Sequence, residues 1–358
     1  MLDFTLSLHR AVAPDPGEQV CWSPFSVASA LGLLALGARG PSQDELTAVL
    51  GDLDALTSAI AGASRLAPSD DEDAPVLAVS NTLWADDTIT IHRSFAELLA
   101  GWSDGSVRSA PFRTEPEKAR DMINEDVAET TRQLIPELLA PGTIRRDTVS
   151  SLVNALYLKS AWRYPFEEGG TAERPFTTAG GPVDVPMMTL NERVGYAARD
   201  GWQVVSLPGK GGVEAVVLLP DGELADAEAA LTGQSLGTLL DAPDPTQVQL
   251  SLPRMKVKTQ AELSDALQAL GVRTVFTREA DLGGISPDWL AVQSVIHESV
   301  LKVDEQGFEG AAATAVMLRL MSLPPEPVVV TADRPFLFVV RHKETGVVYF
   351  VARVTDPS

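Results

Sequence analysis

The segment from Gly307 to Pro327, GFEGAAATAVMLRLMSLPPEP, limits what this chain can fold into more than any other stretch. Alanine favours helix, but Gly307 and Gly310 weaken a helix at its start, and the Pro324-Pro325 pair would end it. Side chains this small also anchor poorly on a protein surface. An extended conformation is therefore the better prediction.

Alternation of side chains along a strand would give this segment one uncharged face. The face that could line a hydrophobic core carries Phe308, Gly310, Ala312, Thr314, Val316 and Leu318. The opposite face holds both charges of the alternating stretch, and its residues are Glu309, Ala311, Ala313, Ala315, Met317 and Arg319. The pattern predicts a segment with two conformations, an exposed loop and an inserted central strand of a sheet.

Composition and charge exclude several classes of partner. The 358 residues are 45% hydrophobic and 22% charged, as in ordinary globular proteins, and the formal net charge is -21. Phosphate backbones and anionic membrane surfaces would repel such a chain, so neither nucleic acid nor a membrane is an expected partner. No apolar run of about 18 residues suggests a membrane span.

The single cysteine, Cys21, rules out an internal disulfide and fits a reducing compartment. Its neighbours, Trp22 and an apolar run, indicate a small buried residue rather than a reactive one. The N-terminal sequence MLDFTLSLHRAVAPD lacks the basic leader and the apolar core of a signal peptide. A cytoplasmic location is the default expectation, and secretion stays open if a leader was removed.

Helical patterns dominate the first 150 residues and strand patterns follow them. Ser23 and Pro24 predict a helix start, and Gly40 with Pro41 predicts its end. Helices are also predicted at 94–102, 117–139 and 259–271, an acidic loop at 69–75, and strands at 74–85, 150–162, 213–220, 246–257, 290–303 and 336–354. Since no linker or repeat divides the chain, the prediction is one α+β domain over residues 1–358.

Catalytic motifs are missing from the sequence. His297, in HESVL, lacks the second histidine that a zinc-binding helix needs. The GKGG at 209–212 lacks the Ser or Thr of a phosphate-binding loop, and no G-x-S-x-G nucleophile elbow occurs. A hydrolase that pairs Cys21 with a distant histidine is an alternative without a local signature. We therefore expect no enzyme, no metal and no cofactor.

Eight motifs in order along nearly the whole chain resemble the serpin family of serine protease inhibitors. They are SPFSVASALGLLALGA (23–38), VNALYLKSAWRYPF (153–166), VPMM (185–188), LLPDG (218–222), LSLPRMKV (250–257), LGVRTVF (270–276), IHESVLKVDEQGFEGAAATA (296–315) and RPFLFVVRHKETGVVYFVARV (334–354). The resemblance implies a single α+β (mixed) domain with three β-sheets, about nine helices and an exposed C-terminal reactive loop. It also implies a metastable suicide inhibitor, whose cut loop forms an acyl-enzyme and inserts as a strand into the main sheet.

The resemblance places the cleaved bond between Met321 and Ser322, both by the spacing from the hinge residue Glu305 and by SLPPE at 322–326. Met321 suits proteases with an apolar specificity pocket, such as chymotrypsin-, elastase- or subtilisin-like enzymes. Cleavage after Leu320, or after Arg319 by a trypsin-like enzyme, stays open. The residues expected to set specificity are Leu318, Arg319, Leu320 and Leu323.

The hinge implied by the resemblance lies within 305–315 and is rich in small residues that ease insertion. Its members are Glu305, Gly307, Phe308, Glu309, Gly310, Ala311, Ala312, Ala313, Thr314 and Ala315. Phe308 stands where inhibitory members usually have Thr or Ser, and its bulk predicts slower insertion. Gly310 replaces a usual alanine and adds flexibility at some cost in strand stability.

Five further residues take their expected roles from the same resemblance. Ser23, Ser26, Asn154 and His297 match the shutter, a polar cluster beneath the opening sheet, and Trp162 matches the breach, where the loop first enters. Each shutter residue can form hydrogen bonds. The alternative interpretation is an ordinary helix cap, satisfied polar groups in a core, and one core aromatic.

The expected partner is a serine protease, held as a covalent acyl-enzyme complex by a monomeric inhibitor. Activation by glycosaminoglycans is not expected, because basic clusters are missing from the sequence. The alternative function is that of a non-inhibitory serpin, acting as a chaperone, carrier or storage protein. The intact run GAAATA argues against this alternative, and Phe308 is its best support.

Overall fold

The structure, a computed structural model, describes residues 1–68, 74–99, 105–308 and 326–358. These ranges contain nine α-helices, which are α1 (Leu2–Val12), α2 (Pro24–Gly37), α3 (Gly40–Leu50), α4 (Leu53–Ala63), α5 (Arg93–Leu99), α6 (Pro116–Thr130), α7 (Leu224–Ala229), α8 (Gly233–Asp241) and α9 (Ser264–Ala269). The strands are β1 (Val20–Trp22), β2 (Val76–Asp86), β3 (Gly105–Ala110), β4 (Ser150–Ala161), β5 (Ala172–Thr178), β6 (Gly181–Arg199), β7 (Trp202–Pro208), β8 (Val213–Pro220), β9 (Asp244–Pro253), β10 (Met255–Glu262), β11 (Val295–Val303), β12 (Gly307–Phe308), β13 (Val328–Thr331), β14 (Phe336–His342) and β15 (Val348–Val354).

The described strands form two hydrogen-bonded sheets. The six-stranded sheet has the order β10-β11-β12-β4-β2-β3, and the nine-stranded sheet has the order β1-β15-β14-β8-β7-β6-β9-β13 with β5 paired to β6. The 19-residue strand β6 pairs with β5, β7 and β9, so the second and third sheets that the resemblance implies are continuous through this strand. The α+β prediction is confirmed.

Helix α2 lies between the two sheets. It contacts β2 and β4 of the six-stranded sheet and β15 of the nine-stranded sheet, and nearly all of its 14 residues are buried. A helix covered on all sides carries no polar stripe, which is why α2 is apolar throughout. The other face of the six-stranded sheet packs against α6 in a separate hydrophobic cluster that includes Ile123, Val127, Val153, Ile296 and Val300.

The predicted start of α2 is confirmed, and its predicted end is wrong. The Ser23 hydroxyl caps the helix by accepting a hydrogen bond from the Ser26 N–H at 3.1 Å. The helix ends at Gly37, and Gly40 with Pro41 begins α3 instead. Proline is common in the first helical turn, because its missing N–H has no partner to lose there.

Several other predicted elements have different bounds in the structure. The predicted strand 336–354 is the two strands β14 and β15, and the strand predicted at 290–303 begins at Val295. The helix predicted at 117–139 ends at Thr130, because Arg132 and Gln133 have positive φ values of 50° and 66°. The predicted strand 246–257 is two strands, and β10 extends to Glu262, into the predicted helix 259–271, because it pairs with β11. Residues 69–73 of the predicted acidic loop lie outside the described ranges.

A search of the described residues for membrane-spanning helices gives one marginal candidate. No single described helix is long and apolar enough to span a bilayer, and the bent pair of α3 and α4 meets that requirement only when both helices are taken together, by length and composition.

Candidate functional site

Two residues of the expected hinge, Gly307 and Phe308, lie inside the six-stranded sheet. Phe308, in β12, pairs with Val303 of β11 on one side and with Ser160 of β4 on the other. Further along the sheet, β11 and β4 pair directly with each other, from residues 295–298 to residues 152–155. The two strands therefore diverge beyond this direct pairing, and β12 occupies the gap at the open end.

Phe308 is buried in an aromatic cluster at this open end. It is 1% exposed, and its ring centroid lies 4.5 Å from that of Trp162 and 6.3 Å from that of Phe338, both edge-on. Its side chain thus faces the core, as the alternation of the segment predicts. The sequence predicts that the large Phe308 ring slows insertion. In the uncut chain, this ring is already packed in the core.

The turn before β12 is held by a dense set of hydrogen bonds. The Asp304 carboxylate accepts from the N–H groups of Gln306 (3.0 Å) and Gly307 (3.2 Å), and the Trp162 indole donates to the Asp304 carbonyl at 2.9 Å. A Cβ added to Gly307 would overlap the carbonyl oxygen of Ser160, so only glycine fits between the strands. Trp162, the expected breach residue, therefore contacts both the turn and Phe308.

Glu305, the first hinge residue, is fixed by two donors. Its Oε1 accepts hydrogen bonds from the Arg254 guanidinium and the Thr171 hydroxyl, each at 2.5 Å. Burial alone would raise the pKa of the Glu305 carboxyl, but these hydrogen bonds hold the pKa below its usual value. Glu305 is therefore an anion that ties the hinge to the start of β10, next to Arg254.

The four expected shutter residues lie together beneath the diverging strands. The Ser23 N–H donates to Nε2 of His297 at 3.1 Å, so Nδ1 carries the proton and donates to Oδ1 of Asn154 at 2.7 Å. The Asn154 amide donates in turn to the carbonyl (2.9 Å) and hydroxyl (2.5 Å) of Ser26 and to Oδ1 of Asn81. Burial lowers the pKa of His297 to about 3, which keeps the ring neutral.

Sequence reasoning missed two members of this polar cluster, Asn81 and Ser29. Asn81 is fully buried on β2, opposite Asn154 on β4, and its amide donates to the Ser29 hydroxyl at 2.8 Å. Asparagine is rare inside a buried strand, so the Asn in the predicted strand 74–85 was a usable signal. Hydrogen bonds between side chains thus link β2, β4, β11 and α2.

Glu298 is a second residue that sequence reasoning missed. It takes part in the last direct pair between β11 and β4, opposite Ala155, and its side chain is fully buried. The Lys258 ammonium lies 2.8 Å from Oε1, yet neither carboxylate oxygen has a well-directed hydrogen bond in the described structure. Desolvation raises the pKa of this carboxyl, although Lys258 opposes the shift.

The remaining predicted residues lie outside the described ranges. These are the hinge residues Glu309, Gly310, Ala311, Ala312, Ala313, Thr314 and Ala315, the reactive pair Met321 and Ser322, and the specificity residues Leu318, Arg319, Leu320 and Leu323. The described part of the site thus consists of the start of the expected hinge, the expected breach residue Trp162 and the expected shutter residues. Within the ranges given above, no group of three His, Cys, Asp or Glu side chains is placed to hold a metal ion.

Comparisons with known proteins agree along the whole chain. The family profile described as Serpin (serine protease inhibitor) matches residues 1–357. Serpin-Z2A of Oryza sativa subsp. japonica is 32% identical, over 100% of this chain and 97% of its own length. Iripin-2 of Ixodes ricinus is 33% identical over 98% and 91%, and a protein of Cyanea capillata named Serine protease inhibitor is 30% identical over 97% and 94%.

Two solved structures share the fold. Human thyroxine-binding globulin complexed with thyroxine superposes with a TM-score of 0.88 at 23% identity, covering 100% of this chain and 97% of the globulin. Uncleaved ovalbumin gives a TM-score of 0.86 at 23% identity, covering 99% and 98%. These two likenesses concern the fold alone, whereas the profile and the relatives concern the sequence. From its first helix to its last strand, the chain belongs to the serpin family.

Proposed function

We propose that this serpin is a metastable suicide inhibitor of serine proteases. The observation that carries the proposal is the position of β12, because the start of the hinge already lies in the gap between β4 and β11. A strand that continues from β12 along this gap would complete the sheet. The family, and a relative that is itself named as a serine protease inhibitor, support the same function.

The register of Phe308 supports a specific path for an inserting loop. Continued antiparallel pairing would place Gly310, Ala312 and Thr314 on the core face, after Phe308, and Thr314 would lie between His297 and Asn154. Glycine, alanine and threonine are small enough to enter between packed strands. The uncharged face of the segment would therefore meet the core, and its charged residues would point towards α6.

Insertion would require the shutter to open. His297 and Asn154 are now joined side chain to side chain across the direct pair of β11 and β4. A strand that enters between these residues must break this hydrogen bond and separate the two strands. We propose that Ser23, Ser26, Asn154 and His297 together resist opening until the loop is cut, and that Trp162 at the breach guides the first inserted residues.

In the proposed mechanism, the chemical steps that precede the movement of the loop are carried out by the protease. Its serine attacks the Met321 carbonyl, the Ser322 amine leaves, and an ester links Met321 to the enzyme. About 15 residues separate Gly307 from Met321, so the inserted strand spans roughly 50 Å at ~3.3 Å per residue. Carrying the tethered protease across this distance would distort its oxyanion hole, and the ester would then persist.

The reactive bond gives the proposed target class. Met321, with Leu320 before it, favours chymotrypsin-, elastase- or subtilisin-like proteases, whose pockets select by buried apolar surface. Leu318, Arg319 and Leu323 would contact the surrounding subsites. We propose that the inhibitor acts as a monomer, because the loop, the gap and the shutter belong to one chain.

The second candidate function is that of a non-inhibitory carrier. The chain shares its fold with thyroxine-binding globulin complexed with thyroxine. A shared fold is compatible with a carrier and equally compatible with an inhibitor. The small-residue run from Gly310 to Ala315 favours inhibition instead, because side chains this small suit entry between the strands of a sheet. The two functions give different products with a protease.

Incubation with chymotrypsin at near-equal ratio, followed by an SDS gel and mass spectrometry, tests the proposal. We expect an adduct that survives SDS and a released peptide that begins at Ser322. Chymotrypsin whose active serine has been blocked is the control and should give neither product. Complete cleavage without an adduct by chymotrypsin, an elastase and a subtilisin would reject inhibition of this protease class and favour the carrier.

A further inference from the structure

An open cleft of about 660 Å³ lies between the end of α8 and the nine-stranded sheet. Its walls come from the strands β6, β7, β8, β9 and β14, from the end of α8, and from the segments that follow β4, α8 and β14. It is a separate feature from the gap that receives the hinge, which belongs to the six-stranded sheet. The charged residues that line the cleft are Arg163, Arg193, Arg341, Lys343, Glu214 and Asp241.

The charge of this cleft is opposite to that of the whole chain. Four basic and two acidic residues line it, whereas the chain has 28 Lys and Arg against 49 Asp and Glu. A local excess of positive charge attracts small anions, even in a protein whose net charge is negative.

The floor of the cleft is already neutralised by protein groups. The Arg341 guanidinium donates to Oδ1 of Asp241 and to the Leu240 carbonyl, each at 2.7 Å, and lies 3.5 Å from Oε2 of Glu214. Ser206 donates to the other Glu214 oxygen at 2.8 Å. Arg341 Nε and Glu214 Oε2 are left without a hydrogen bond in the described structure, which is unusual for a buried pair. The floor is therefore polar and incompletely satisfied.

The Lys343 ammonium lies 3.8 Å from Oε1 of Glu214. The two cations of the lining that remain are Arg163 and Arg193. Neither side chain has a hydrogen bond or an ion pair within the ranges that the structure describes, and both are exposed. Their backbones are nevertheless fixed. The Arg163 N–H donates to the Pro208 carbonyl at 2.9 Å, and Arg193 pairs with Gln247 between β6 and β9. Two guanidinium groups are thus held at the cleft with their donors free.

The rest of the lining offers apolar contact. Tyr164, Pro208, Leu240, Pro243 and Pro245 contribute rings and aliphatic surface to the walls. A guanidinium binds a carboxylate or phosphate through two parallel hydrogen bonds, and specificity in such sites comes from a few polar groups placed among apolar ones. We propose that this cleft binds a small organic dianion with a compact apolar body, whose acidic groups pair with Arg163 and Arg193.

Benzene-1,3-dicarboxylate is a suitable probe, with isothermal titration calorimetry at physiological ionic strength as the measurement. We expect saturable binding of one molecule per chain. Arg163→Gln and Arg193→Gln should each weaken binding by roughly tenfold, because each removes a charged hydrogen-bonding group. Arg199→Gln is the matched control, since Arg199 lies on the same strand as Arg193, is exposed, and does not line the cleft.

Three outcomes would overturn the proposal. The first is no saturable binding up to about 10 mM probe. The second is binding that Arg199→Gln weakens as much as Arg193→Gln, which would mean general attraction to positive charge. The third is equal or tighter binding of pyrophosphate, which would remove the role of the apolar walls. Thermal melting of each variant, compared with that of the natural sequence, verifies that the protein is folded.

Discussion

Phe308 lies edge-on against Trp162, with ring centroids 4.5 Å apart and an interplanar angle of 61°, in the gap where β4 and β11 diverge. Because Phe308 pairs with residues on both strands, its ring fills the entrance to the sheet before any cut is made. In the proposed mechanism, the first step of insertion would therefore be complete in the intact chain. The remaining step would be the separation of β4 and β11 at the proposed shutter.

Replacing this ring with a small polar group, Phe308→Ser, should destabilise the intact protein. Removal of a buried phenyl ring costs about 3 kcal/mol or more, because the contacts with Trp162 and Phe338 are lost and a cavity remains. We expect a lower midpoint of urea unfolding. Leu98→Ser, at a side chain in α5 that is 49% exposed, is the control and should change the midpoint little. Equal effects of the two substitutions would contradict the anchoring role.

The sequence alone predicts the side of the strand on which Phe308 lies, because alternation is a local property of an extended chain. It does not predict that the hinge is docked, since docking depends on Val303 and on Ser160, which lies far away along the sequence. The expected shutter residues are likewise only partly predictable from the sequence. Motifs identify His297 and Asn154, whereas the contact of Asn81 with Asn154 depends on the pairing of β2 with β4.

The helix predicted at 117–139 is too long for a similar reason. Its apolar residues have helical spacing throughout, but the chain turns after Thr130. Beyond the turn, the N–H groups of Leu138 and Leu139 donate to the Asn124 side chain, a tertiary contact that local spacing does not predict. The cleft around Arg193 is assembled from five strands, the end of α8 and connecting segments, and its lining runs from Arg163 to Lys343 in the sequence, so no local pattern could reveal it.

Two lysines are predicted to stabilise the inserted form selectively. The register of Phe308 would place Glu309 between Lys302 of β11 and Lys159 of β4 after insertion. Cross-strand ion pairs contribute about 0.2–1 kcal/mol each. The double variant Lys159→Ala/Lys302→Ala should therefore lower the melting temperature of the loop-cut protein more than that of the intact protein.

The matched control for this pair is Lys256→Ala, on the neighbouring strand β10, where Lys256 lies opposite Lys302 on its outer side. It should affect the intact and the cut protein equally. The comparison also tests metastability itself, because the cut protein should melt well above the intact protein. Equal melting temperatures of the intact and the cut natural sequence would contradict insertion.

If the chain is the inhibitor proposed above, a charge placed on the inserting face should convert it into a substrate. Ala312→Arg would bring an unpaired guanidinium to the core side of the sheet, at a cost of several kcal/mol. Insertion would slow, and the acyl-enzyme would be hydrolysed first. Gel analysis of the reaction with chymotrypsin should show cut protein in place of adduct. Ala312→Val, which adds bulk without charge, should retain most of the adduct, and unchanged inhibition by Ala312→Arg would refute the alternation argument.

The neutral His297 predicts loss of stability on acidification. Its folded-state pKa is about 3, whereas the pKa in the unfolded chain has the ordinary value of 6.5, so below pH 6.5 the unfolded state binds a proton that the folded state does not. The contribution of His297 is therefore complete above pH 6.5 and declines as the pH falls, by at most about 1.4 kcal/mol per pH unit.

Unfolding midpoints in urea between pH 7.5 and pH 4 measure this decline. His297→Gln should be less stable than the natural sequence at neutral pH, and the difference between the two should shrink as the pH falls. Other titrating groups, including His342, are common to both proteins and cancel in the comparison. His92→Gln, outside the shutter, is the control. Parallel pH profiles for the natural sequence and His297→Gln would show that His297 does not titrate in this way.

Glu298 predicts the opposite dependence on pH. Desolvation raises its folded-state pKa above that of the unfolded chain, so ionisation favours unfolding, and its contribution to stability falls as the pH rises above about 4.3. Glu298→Gln should therefore stabilise the protein at pH 7, by about 1 kcal/mol, because a poorly satisfied buried carboxylate is removed and the half-exposed Lys258 stays hydrated.

The gain should shrink as the pH falls towards 4, because the carboxyl of the natural sequence becomes mostly protonated in both states. Glu125→Gln removes an equal charge from an exposed position on α6 and should show no such gain. Lys258→Gln is the complementary variant and should destabilise at pH 7, since it leaves the buried carboxylate without its cation. Destabilisation by Glu298→Gln at pH 7 would mean that attraction to Lys258 outweighs the cost of burial, and the charge would then hold β10 to β11 at the point where the sheet opens.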